Sequence, residues 1–384
     1  MPDNISDKIA DKYTSHAVNL ERVKSSLSKD ALNFLNLLEI ETIEQLKRFD
    51  PTGVNVSSFR SKRLNALIKE IESITKGFYG DARRVTESSL KPLVNIEGQF
   101  AINTIDGVVG VDIASVKFTP ELINSIVSDT LIEGAPSKEW WTRQADNSIK
   151  RFSDEMRTGV GLGEDINTLS RRVRGTATGK RKTVTLKSGK KKIVSEFKGG
   201  FMDVDRRQAD ALVRTSVQAI SNEARLQSFQ QNDDIIRGLQ ALVTLDNRTS
   251  TICIARSGAE WDLKTGDPVK GTSESFPGPT PWHWQCRSTL IPILYDFDEM
   301  EGRVGANKKK RLNTLPQSTQ ASMDGQVAGD LTYEQWLGTK AESTQKEVLG
   351  PAKWELWQKD KLSFTELINQ DGRPLTVAEL EATI

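Results

Sequence analysis

Cysteine and histidine are almost absent from this sequence, with two of each in 384 residues. Two cysteines exclude the disulfide-dense scaffold of a small secreted domain. No run of 18 apolar residues occurs, so no membrane-spanning helix is expected. The opening residues Met1 to Ser6 lack a basic stretch leading into an apolar one, so no secretory signal is expected. Neither sign of charge is in excess: 53 Lys and Arg stand against 52 Asp and Glu, a net charge of +1. With 27% charged and 36% hydrophobic residues, the composition suits a soluble, helix-rich, rather polar chain. Its length exceeds what one core organises, so two or three domains are expected. The expectation is an intracellular or assembly-bound protein with no membrane partner.

The scarce residues are not scattered. Cys253, His283 and Cys286 fall between Leu245 and Pro292, and only His16 lies elsewhere. Such a cluster reads as a metal knot, a disulfide staple or a nucleophile with its base, and the three readings imply different functions.

The first 160 residues have helical periodicity. Leu20, Val23, Leu27, Leu32, Leu35 and Leu38 recur at gaps of three and four, with Ser28 as a candidate N-cap. Pro51-Thr52-Gly53 breaks the pattern, which resumes at Phe59 and is expected to stop at Gly77 and Gly80. A further helix is expected over 82–104, and a short β-like run at Val108, Val109, Val111 and Ile113. Thr119-Pro120 reads as a cap with proline in the first turn of another helix. Trp140, Trp141, Ile149 and Phe152 anchor the next. Nothing here resembles a catalytic constellation, so residues 1–118 are expected to be a helical docking region.

Residues 171–200 break the overall neutrality. Eleven cations face Glu196 alone, a local charge of +10. Thr183-Val184-Thr185 and Ile193-Val194-Ser195 flank Ser188-Gly189, which signals a β-hairpin. A cationic ribbon on a neutral chain is the footprint of phosphate contact, and its opposite is a solvated loop kept soluble by lysine. The candidate DNA-binding residues are Lys180, Arg181, Lys182, Lys187, Lys190, Lys191 and Lys192. Phe197 is the only aromatic residue there, so base stacking is not expected. Lys308-Lys309-Lys310-Arg311, a shorter run, reads as a solvated loop.

An amphipathic helix follows Asp203, carrying Arg214-Thr215 and Asn222-Glu223-Ala224-Arg225. The strand-like Leu239 to Leu245 leads into Asp246-Asn247-Arg248-Thr249, where Asp-Asn favours a turn held by Asp246 and Arg248. Residues 261–281 form a loop of unusual length, marking it as functional or partner-ordered. Thr289 to Leu294 reads as a strand, so Cys253 and Cys286 are expected to meet across two adjacent strands with His283 beside them.

These residues resemble a known family. Asp246-Asn247-Arg248-Thr249, Cys253, Gly258 and Pro281-Trp282-His283-Trp284-Gln285-Cys286-Arg287 are similar to the pattern of the Mu F-like, or SPP1 gp7-like, head morphogenesis proteins of tailed phages. Arg214-Thr215 and the Gly159-Val160-Gly161 step match helices preceding that pattern. Leu331 to Leu337, Gln345 to Pro351 and Leu362 to Thr376 look like the family's end region. The resemblance spans roughly residues 120–384. It implies a structural motif of Asp246, Arg248, Thr249, Arg214 and Arg287. Two departures stand out: Trp284 replaces the family's proline, and Ser288 replaces its last cysteine. A Cys, His, Cys, Cys tetrad would hold zinc tetrahedrally; here Cys253, His283 and Cys286 remain, with Asp246 or water as a fourth ligand. The expectation is no cofactor and two buried thiols, with zinc or a disulfide as the alternatives.

The fold expected is α+β and mostly helical: a helical N-terminal region, then a small α+β domain with a basic hairpin insertion. The boundaries are 1–118, 119–300 with the hairpin at 175–200, a linker at 301–330, and a helical tail at 331–384. The resemblance implies a minor structural protein of the virion. It would be low in copy, associated with the portal vertex or the head interior, assembled in the host cytoplasm, and in contact with capsid or scaffolding proteins and packaged double-stranded DNA. It would affect assembly, packaging or ejection. No enzyme is expected. The alternative is a phage-encoded nuclease or Cys/His-dependent enzyme carried in the head. Against it, no spacing supplies a third group to orient His283, and Asp246 has no neighbouring carboxylates for a catalytic metal.

Overall fold

The computed structural model describes residues 5–49, 57–109, 114–295, 319–322, 325–328, 332–359, 364–367 and 374–381. Pro51-Thr52-Gly53, Val111, Ile113, the Lys308 to Arg311 run and most of the 301–330 linker lie outside these residues.

The chain opens with two long helices, α1 (Ile5–Arg48) and α2 (Ser57–Val109). Then come α3 (Pro120–Asp129), a ladder of β1 (Leu131–Ile132) with β2 (Ala135–Pro136), α4 (Ser137–Gly161) and α5 (Ile166–Arg174). Strands β3 (Gly175–Thr185) and β4 (Lys191–Gly199) form the expected hairpin, and α6 (Phe201–Gln230) follows. Next are β5 (Ile236–Leu242), α7 (Thr251–Ala255), β6 (Glu260–Asp262), β7 (Pro268–Lys270) and β8 (Thr289–Leu294). Those four strands form an antiparallel sheet in the order β7-β6-β5-β8. Strands β9 (Thr319–Ser322) and β10 (Gly325–Ala328) pair, and α8 (Tyr333–Gly338), α9 (Glu342–Leu349), α10 (Pro351–Gln358) and α11 (Val377–Glu381) follow. The protein is thus α+β and mostly helical, with a basic hairpin.

The first helices run longer than their local signals suggest. Ser28 lies inside α1, where its hydroxyl donates to Asp210, and caps nothing. Gly77 and Gly80 do not end α2, which continues through them and through Pro92 to Val109. Each glycine costs about 1 kcal/mol against alanine. The buried stripe of Leu67, Ile71, Phe78, Tyr79, Ala82, Leu90 and Val94 crosses that stretch, and its burial outweighs the cost. Val108 and Val109 close this helix and are not a strand. Thr119 does cap α3, its Oγ1 accepting from the Leu122 amide at 3.2 Å. The long loop at 261–281 contains β6 and β7, so part of it extends the sheet.

The chain divides into two compact units, and α1, α2 and α6 contribute residues to both. The first comprises 1–21, 93–126 and 218–384. Its sheet packs Ile236, Leu239, Trp261 and Ile291 against Ile9, Tyr13, Ile105 and Phe229 from the helices. A second apolar cluster joins Leu245, Ile254 and Ala255 to Tyr333, Trp336, Leu337, Phe364 and Leu380 from the tail.

The other unit comprises 22–92 and 127–217. Asp205 is buried at its centre, accepting from Ser148 at 2.6 Å and paired with Arg151. Arg206 bridges Glu39 and Asp203. The Gly-x-Gly step is the junction of α4 and α5. Asp165 caps α5, and a β-carbon on Gly159 would lie 2.4 Å from Leu169 Cδ2 and 2.7 Å from Glu164 Oε2, so any larger residue there displaces the ends of both side chains. The hairpin is fixed at both ends. Gly175 has φ +80°, and any side chain there would strike the Lys198 carbonyl. Near the tip, Asn33 brackets Thr185, donating to its carbonyl and accepting from its amide, both at 2.8 Å.

Candidate functional site

The Asp246 turn is built as an Asx motif. Its carboxylate accepts from the Arg248 amide at 2.9 Å, and Thr249 Oγ1 donates to the Thr244 carbonyl at 2.5 Å. Arg287 closes on the same carboxylate with two bonds, at 2.6 and 2.7 Å. Arg248 itself reaches only 3.6 Å and is mostly exposed, so Arg287 is the stronger partner. Burial pushes the Asp246 carboxyl up, but the Arg287 pair and the Arg248 amide more than reverse this and hold it below the usual carboxylate range. The Tyr333 hydroxyl donates to the Asp246 carbonyl at 2.9 Å, tying the tail to this turn.

Ser250 then caps α7, accepting from the Cys253 amide at 3.3 Å. Cys253 therefore sits on a short helix and Cys286 on the loop entering β8; the expected pair of adjacent strands is not how they meet. They meet nonetheless. The sulfurs are 3.6 Å apart, and His283 Nε2 lies 3.2 Å from Cys253 Sγ. Both cysteines are free and about 1% exposed, while His283 is half-buried. His283 Nδ1 is 2.9 Å from the Trp284 carbonyl. A carbonyl only accepts, so Nδ1 carries the proton and the Nε2 lone pair faces the sulfurs. Gln285, with φ +60°, turns the chain so that His283 and Cys286 face one point. A hydrogen bond from Cys253 pulls the Cys286 thiol down, with His283 helping against burial; the Cys253 thiol is pushed up in turn.

The seven candidate cations of the hairpin do not share one environment. Lys182 points inward, bonding Asn36 at 2.7 Å and lying 4.0 Å from Glu39. Lys187 lies over the Phe78 ring and 3.5 Å from Asp81. Lys192 is opposite Val184 and lines a cavity of about 320 Å³ beside Glu39 and Glu44. Arg181 and Lys191 point outward on the other face, with Ile193 66% exposed between them. Lys180 and Lys190 are exposed, and among the described residues no acid pairs with Lys180, Arg181, Lys190 or Lys191. Arg214 bonds Asp210 at 3.0 and 3.1 Å within the second unit.

Sequence reasoning missed a buried ionic cluster in the first unit. Glu97, 1% exposed, accepts from Arg225 at 2.7 Å and bonds His16 at 2.9 Å. Arg225 also donates to Thr289 Oγ1 at 2.8 Å, which in turn bonds Asn222 at 2.7 Å. Asn222 to Arg225 stood out in the sequence, but their partners Glu97 and Thr289 carry no local signal.

No curated protein and no solved structure matches the chain. The family model described as Phage Mu protein F like protein matches residues 150–291, just over a third of the chain, from the middle of α4 into β8. That span contains the hairpin, Arg214, the Asp246 turn and the thiol–imidazole cluster, and over it the chain is similar to the Phage Mu protein F like family.

Proposed function

We propose that this protein is a minor structural component of a tailed-phage head, placed at the portal vertex or on the inner capsid wall, and that its hairpin touches packaged double-stranded DNA. The family is one of phage head morphogenesis, and no helix among the described residues is long and apolar enough to cross a membrane. The observation that carries the DNA contact is the outward face of the hairpin. Arg181 and Lys191 are presented there without acidic partners among the described residues, flanked by Lys180 and Lys190. Lys182 and Lys187 answer Glu39 and Asp81 and contribute less. The ribbon meets phosphate as a charge and reads no sequence, since Phe197 is half-buried under Arg174. The helical region 1–118 would dock on the portal, capsid or scaffolding proteins.

A non-catalytic role fits the Cys–His cluster better than the enzyme alternative. Both sulfurs are buried, and His283 is oriented by a backbone carbonyl, not by a carboxylate. Asp246 spends both oxygens on Arg287.

The test is binding of the full chain to duplex DNA across salt. Four phosphate contacts give a log–log slope of about −3.6. The double variant Arg181→Glu, Lys191→Glu is expected to lower the affinity at least tenfold and flatten that slope, whereas Lys182→Ala leaves the slope unchanged. Affinity indifferent to salt, or unaltered by the double variant, sinks the assignment.

A further inference from the structure

We propose that Cys253, His283 and Cys286 bind a zinc ion that ties α7 to the chain entering β8. A tetrahedral zinc centre has metal–sulfur bonds of about 2.3 Å and metal–nitrogen bonds of about 2.0 Å, which set a sulfur–sulfur edge of about 3.8 Å and a sulfur–nitrogen edge of about 3.5 Å. The corresponding separations here are 3.6 and 3.2 Å, and all three ligand atoms lie within 4.8 Å of one another. The Trp284 carbonyl holds Nδ1 and turns the Nε2 lone pair towards Cys253 Sγ at 3.2 Å, and a backbone carbonyl on the far nitrogen is the usual outer support of a metal-bound imidazole. Gln285 adopts a left-handed conformation uncommon for any residue but glycine, and that turn is what brings His283 and Cys286 to the same point. Two thiolates and an imidazole form a soft donor set that favours zinc over calcium or magnesium.

Three protein ligands leave a fourth position for an oxygen, from water or a hydroxyl. Ser288, 2% exposed, bonds Cys253 through its hydroxyl and stands beside the donor set. The site is therefore one thiolate short of a full tetrad, and a cysteine at 288 would supply it. The inference does not depend on DNA contact.

The experiment begins with elemental analysis of the full chain purified without added metal or chelator. One zinc per chain is expected. After exchange into cobalt, a thiolate-to-cobalt charge-transfer band and the strong visible bands of a four-coordinate ion are expected. His283→Ala and Cys286→Ser should each weaken cobalt binding at least tenfold, and Ser288→Cys should tighten it at least tenfold. His283 is half-buried, so its variant decides the matter if Cys286→Ser fails to fold. The proposal is overturned if the folded protein holds no zinc and gives no thiolate–cobalt band. Affinity untouched by His283→Ala, or a Cys253–Cys286 disulfide in protein prepared without oxygen, also overturns it.

Discussion

Asp246 and Glu97 show how differently two carboxylates can be written into a chain. Asp246 belongs to a local pattern, Asp-x-Arg-Thr, and its turn is legible because the Asx bonds span only two or three residues. Its strongest partner, Arg287, is 41 residues away and was legible only through the family pattern. Glu97 was not legible at all. It sits on a helical face like any other glutamate, and its partner Arg225 lies 128 residues further along. Removing one member of such a buried pair leaves the other uncompensated. Glu97→Gln is accordingly expected to lower stability by about 3 kcal/mol in denaturant titration, with Glu97→Gln plus Arg225→Met costing less than the sum of the singles. For Asp246 the sign of the pH dependence follows from its depressed folded value. Its contribution is complete above the unfolded carboxylate value of about 4 and is lost as pH falls through the lower folded value. Asp246→Asn should cost about 2 kcal/mol at neutral pH and progressively less below about pH 4, read from unfolding midpoints across pH.

Among the elements, the hairpin was the most legible, because β-branched alternation around Ser188-Gly189 is a short-range signal. Its face assignment was not. Period-two alternation splits any strand into two faces, yet only Asn33, Asn36 and Glu39 on α1 reveal that Lys182 is the inward one. Helix α7 was missed for the opposite reason: five residues are too few to show a 3.6-residue period, and Ser250 was the sole cue. The glycine stops in α2 failed because helix breakers act locally while the buried stripe acts along the whole element. Gly175→Ala is expected to detach the base of the hairpin from its register, since the new side chain meets the Lys198 carbonyl. Amide exchange in 176–198 should then speed up at least tenfold while that of α6 is unchanged; equal protection in both proteins contradicts this account of the glycine.

For the whole molecule, near-neutrality conceals a division of labour. Residues 178–198 hold eight cations and one acid, so their deletion takes the net charge from +1 to −6. The deletion variant should migrate as an acidic protein in native electrophoresis and lose DNA binding at every salt concentration. Retention of that binding would move the contact to another surface. The tail bears on the whole chain in another way. Tyr333 reaches back 87 residues to the Asp246 carbonyl, and Trp336, Leu337 and Leu380 cover Leu245, Ile254 and Ala255. During synthesis, therefore, the apolar ground around the Asp246 turn is made early and covered late. A nascent chain that has emerged from the ribosome past residue 295 but not yet as far as residue 333 has all four strands of its sheet available while its Leu245 cluster is bare, a state open to chaperones and to neighbouring nascent chains.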